Sequence, residues 1–118
     1  MAWFRQRVVS FGHALHGLKV LLLEEHNAQL HMLATVLVVS AGLALGISRQ
    51  DWQALLLTVA LVWLAEGLNT ALERLCDAAV PDQHPLIGRA KDVAAGSVLI
   101  TACFAVAMGL LIFLPYLV

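Results

Sequence analysis

WQALLLTVALVWLAEGLNTALERLCDA, residues 52–78, decides how the chain is read. Its first fourteen residues, Trp52 to Ala65, carry no charge and have the composition of a membrane-crossing helix. Glu66, Asn69, Glu73 and Asp77 then follow with nothing that would end the helix. At 100° per residue these four positions share a narrow arc of one face. A carboxylate turned to hydrocarbon is expensive, so the arc must meet protein, water or a bound cation.

Outward from this segment the chain is too apolar for an ordinary small soluble domain. Hydrophobic residues make up 61% of its 118 residues, charged residues 13%, and the mean hydropathy is +0.86. A chain of this length forms one domain and cannot hide so much apolar surface within itself, so lipid and self-association must cover it. The net charge of −1 argues against nucleic acid as a partner. Cys76 and Cys103 lie outside any CxxC spacing and read as free thiols. The first 25 residues mix Arg, His, Lys and Glu among apolar residues and show no cleavable signal pattern.

The expected fold is an all-α membrane protein of one domain, residues 1–118, with spans at about 27–47, 52–78 and 91–115. The third is the plainest, with 22 uncharged residues from Val93 to Leu114. Ahead of the spans, residues 1–25 place Phe4, Val8, Phe11, Leu15, Leu18 and Leu22 at helical spacing. This predicts an amphipathic helix lying in the membrane interface, the alternative being a tightly packed soluble helix. Arg5, Arg7 and Lys19 on that helix, and Arg74, Arg89 and Lys91 around the loop at 74–92, outweigh the lone Arg49 between the first two spans. The bias places the N-terminus and the 74–92 loop in the cytoplasm and the C-terminus outside.

Rise along the helix grades the polar stripe by depth. Glu66 lies about 21 Å beyond Trp52, in the cytoplasmic third of the bilayer, and Glu73 is ~10 Å further, near the headgroups. One carboxylate can therefore meet the polar end of a lipid and another an aqueous metal–nucleotide. The alternative for Glu73 and Asp77 is simple solvation at a helix end, and for Asn69 an interhelical hydrogen bond. Beyond the stripe, Pro81 and Pro85 break the helix around a polar tip, Asp82, Gln83 and His84. Arg89, Lys91 and Asp92 follow and could hold phosphates, or simply form a charged helix start. The small residues Ala94–Ser97 allow close helix approach. No Walker loop, kinase glycine loop, HExxH or CxxC is present.

Taken together, ExxNTxxE followed by Asp77, then HPL and GRAKDVAAGSVL, resemble the bacterial diacylglycerol kinase/undecaprenol kinase family. GLKVLLLEEHN, QLH and LGISRQDW extend the resemblance over most of the chain. It implies a small ATP- and Mg²⁺-dependent lipid kinase in the bacterial cytoplasmic (inner) membrane, phosphorylating diacylglycerol or undecaprenol. It also implies a homotrimeric bundle with active sites between subunits. Glu66 would be the general base, meeting the lipid together with Ala95. Glu25 and Glu73 would hold the metal, with Asn69 and Asp77 in support. His13, Asp82, Gln83, His84, Lys91 and Asp92 would bind ATP, together with the metal-holding Glu25 and Glu73. His13 stands where the family carries an aromatic residue, and Gln29 where many relatives carry Arg. The nucleotide-facing arginine aligns at Gln6, leaving either Arg5 or Arg7 for that role.

Two readings from other classes compete with the kinase. A proton- or cation-coupled transporter would use Glu66 but leaves the other polar positions unused, and no internal repeat is present. A non-catalytic assembly protein would explain the small-residue packing and none of the acids.

Overall fold

Helix occupies nearly the whole chain in the computed structural model, which describes residues 1–118. The elements are α1 (Ala2–Glu24), α2 (His26–Leu45), α3 (Arg49–Ala79) and α4 (Pro85–Leu117). The last three are each long and apolar enough to cross a membrane. α3 and α4, at 31 and 33 residues, exceed the ~20 needed for a span, so they can continue past the hydrocarbon.

Each break has a local cause. α1 passes into α2 through the single extended residue Glu25, which leaves its side chain at a corner of the chain. α2 ends on Gly46, whose φ of 62° is the left-handed conformation that a glycine adopts without a Cβ clash. Ser48 then caps α3, its hydroxyl oxygen accepting from the Asp51 N–H. α3 runs to Ala79, and α4 starts at Pro85, where the fixed φ of proline suits a first helical turn. The loop expected over 74–92 is therefore only residues 80–84. Gly88 to Asp92 lie on α4 instead, which starts at Pro85, six residues ahead of the expected start of the third span at 91.

α3 packs most extensively on α4, α2 lies against α3, and α1 touches chiefly α2. The small core sits near the α2–α3 turn, where Ile47, Leu55 and Ile112 are buried under Trp52, Val59, Met108 and Phe113. Tyr116 closes this end by donating to Asp51 Oδ2 at 2.6 Å while accepting from the Ser48 N–H at 2.9 Å.

Only 11 of the 118 residues are buried, and the radius of gyration is 17.6 Å, against ~13 Å for a compact domain of this length. One copy therefore leaves most of its apolar surface to other cover. On α1 the whole stretch from Ala2 to Lys19 is exposed, Phe4, Phe11 and Leu15 included.

Candidate active site

Burial along α3 follows the polar stripe in order. Glu66 is 1% exposed and Asn69 8%, while Glu73 is half-buried and Asp77 exposed. Thr70 is buried beside them. Glu66 Oε2, Asn69 Oδ1 and Thr70 Oγ1 are closed off from solvent and make no hydrogen bond. An unsatisfied buried polar group costs about 1–3 kcal/mol. Three within five residues mark a place held ready for a ligand or for a further chain.

The ionisable side chain nearest the Glu66 carboxylate is His31 on α2, whose Nε2 lies 3.5 Å from Oε2. Trp63, one turn before Glu66, packs edge-on against the His31 ring with centroids 6.4 Å apart. Its indole N–H donates to Thr35 Oγ1 at 3.0 Å, and that hydroxyl donates to the His31 carbonyl at 2.7 Å. From the sequence, His31 has no role beyond its place in the QLH stretch of the first span. The signal that could have found it is a histidine in an apolar segment at the depth of an intramembrane acid. His31 and Thr35 also line an apolar cavity of about 210 Å³ between α2, α3 and α4, with Leu55, Val59 and Val62 on the α3 side. Those three precede Glu66 on its own helix face.

At the exposed end, charges pair across helices. Arg74 donates to Glu25 at 2.8 Å and to Glu24 at 3.3 Å, bringing the α1–α2 corner against α3 one residue after Glu73. Lys91 donates to Asp77. These two residues and Asp82, Gln83 and His84 line one cavity of about 530 Å³. His84 has a further task, since its Nδ1 accepts from the Leu86 N–H and caps α4. Asp92 and Ala95 are exposed on α4 and lie outside that cavity. Arg7 and His13 share an open groove on α1 with Arg5 and Gln6, and none of the four lines the cavity at Asp82–His84. Arg7 instead lies over the Trp3 ring at 5.4 Å.

The donor chemistry suits a metal carried by a nucleotide. No three His, Cys, Asp or Glu side chains converge as a protein cage. Mg²⁺ ordinarily takes only one or two carboxylates and leaves its remaining positions to phosphates and water. Glu25 and Glu73, both at the Arg74 level of α3, offer that number.

Residues 12–113 match the family described as prokaryotic diacylglycerol kinase. The chain belongs to that family. Over 108 residues it is 38% identical to an undecaprenol kinase of Bacillus subtilis, covering 92% of this chain and 88% of the relative. It is 38% identical over 109 residues to a diacylglycerol kinase of Synechocystis, covering 92% of this chain and 62% of that longer protein. A diacylglycerol kinase of Escherichia coli is 30% identical over 103 residues, covering 87% and 84% of the two chains. Membership in the prokaryotic diacylglycerol kinase family makes the chain a lipid kinase, and its three membrane-length helices accord with a bacterial membrane enzyme. A kinase of this family takes its phosphate from a nucleotide donor.

Proposed function

We propose that this enzyme transfers the γ-phosphoryl group of ATP, with Mg²⁺, to the hydroxyl of diacylglycerol or undecaprenol at the cytoplasmic face of the bacterial inner membrane. The observation that carries the reading is the graded face of α3. A sealed carboxylate at Glu66 stands on the same stripe as the solvent-reaching Glu73 and Asp77, and beside Asp77 opens a cavity lined by Lys91. A lipid alcohol and a water-soluble donor could meet only along such a boundary.

In this reaction the Glu66 carboxylate accepts the proton of the lipid hydroxyl as its oxygen attacks the γ-phosphorus. The bond from that phosphorus to the bridging oxygen breaks, and ADP leaves. A positioned base of this kind supplies about 10²- to 10⁴-fold. The lipid chain lies in the apolar space below Glu66, where Val62 and Val59 line the cavity between α2, α3 and α4. Lys91 exchanges its pairing with Asp77 for the phosphates, and Asp92, Asp82, Gln83 and His84 border the nucleotide. Asn69 and Asp77 support the cluster, Ala95 borders the lipid, and Arg7 and His13 approach the nucleotide from α1. Glu25 and Glu73 would hold Mg²⁺, which, when bound, neutralises charge on the phosphates.

The exposed apolar residues of α1 support its lying in the interface, and the Lys/Arg distribution supports a cytoplasmic N-terminus and Asp82–His84 loop, with the C-terminus outside. The large apolar surface and the unpartnered atoms at Glu66, Asn69 and Thr70 support cover by further copies of the chain, and the resemblance to the family makes that assembly a homotrimer with active sites between subunits. The test is incubation of the reconstituted protein with γ-labelled ATP, Mg²⁺ and a panel of lipid alcohols that includes diacylglycerol and undecaprenol. Label should enter at least one of these two, and their relative rates assign the substrate. Absence of label from every lipid would overturn the proposal.

A further inference from the structure

We infer that His31 is a positioning residue for Glu66: its imidazole N–H holds Oε2, so that the other carboxylate oxygen faces the lipid hydroxyl. This rests on the reading of Glu66 as the base. The contact is 3.5 Å, between the oxygen that is closed off from solvent and a side chain from another helix. No side chain makes a hydrogen bond to Glu66, and His31 Nε2 at 3.5 Å is the polar side-chain atom that approaches its carboxylate, so a small closure of this contact would orient it.

His31 is itself fixed from two sides. The Trp63 ring packs edge-on against the imidazole, and Trp63 also holds Thr35, whose hydroxyl binds the His31 carbonyl. Trp63 and Glu66 are neighbours on α3, three residues apart. One element therefore carries both the base and the side chain that aims the residue orienting it. The imidazole is 20% exposed and borders the apolar cavity below, so it stands between that space and the carboxylate. As the carboxylate takes the hydroxyl proton, the imidazole keeps its own proton on Nε2 and only holds the geometry.

The experiment uses the full-length reconstituted enzyme. His31→Phe keeps a flat ring for Trp63 and has no N–H, while His31→Gln keeps an N–H at a similar reach. His31→Met, flexible and without a donor, replaces the Phe variant if that protein does not fold. The donorless variant should lose about tenfold to a hundredfold in kcat, as partners of functional groups typically do, with KM for ATP changed less than about twofold. His31→Gln should return kcat to within about threefold of wild type. On a Glu66→Gln background the donorless change should add less than about twofold, since there is no longer a base to aim. The inference is overturned if the donorless variant keeps wild-type kcat, if His31→Gln is equally impaired, or if the losses multiply in the double variant. A Glu66→Gln enzyme with wild-type rate would instead sink the base reading itself.

Discussion

The two ends of α3 are built to opposite rules. Near Ser48 the polar groups find partners within the chain: the Ser48 hydroxyl caps the helix, and Tyr116 joins the Ser48 N–H to the Asp51 carboxylate. Leu55, Ile47 and Ile112 fill the space behind them. From Glu66 onward, three buried polar atoms have no hydrogen bond, while Arg74 and Asp77 pair with charges outside α3 near the surface. The first end spends sequence on holding helices together. The second tolerates unsatisfied groups that a structural role would have removed, as functional sites commonly do. That division supports placing the proposed chemistry at the second end.

Substitutions that separate folding from turnover test the division. Leu55→Ala, at a residue 3% exposed, should cost about 2–5 kcal/mol of stability. Because Leu55 also lines the cavity proposed for the lipid chain, the activity of the folded fraction at low temperature should show a changed KM for the lipid, with KM for ATP near wild type. Asn69→Leu should do the reverse. It replaces an unsatisfied buried amide by an apolar group, so thermal stability should hold or rise while kcat falls about tenfold or more. Equal losses of stability and rate in either variant would erase the contrast between the ends. Gly46→Ala forces a Cβ into the left-handed region and should cost about 1–2 kcal/mol in denaturant unfolding, with KM for both substrates unchanged. The smallest effect belongs to Tyr116→Phe. Removing the hydroxyl that joins Ser48 and Asp51 should lower Tm by about 2–4 °C and leave kcat alone.

The same contrast explains what the sequence could reveal. The stripe 66, 69, 73 and 77 was legible because helical periodicity is local, and the observed burial runs along it in order. Pro81 and Pro85 marked the loop for the same reason, although Pro85 opens α4 and carries Arg89 and Lys91 onto helix. Pairings between distant residues were not legible. Arg74 entered the reading only as one positive charge in an orientation argument, yet it binds Glu24 and Glu25 from about fifty positions away. Tyr116 meets Ser48 across 68 residues. His31 acquires meaning only when α2 and α3 pack together and its ring reaches Glu66. Helix-face position follows from spacing, whereas a partner on another helix follows from the rotation and depth at which the two helices pack.

The most direct test of the account is the initial rate of lipid phosphorylation by Glu66→Gln, with Tm measured on the same sample. Glutamine preserves shape but cannot accept the hydroxyl proton, so the rate should fall by about a hundredfold or more. Tm should be unchanged or higher, because a sealed carboxylate becomes a neutral amide. A rate near wild type in the folded protein would contradict the assignment of this end of α3 to catalysis.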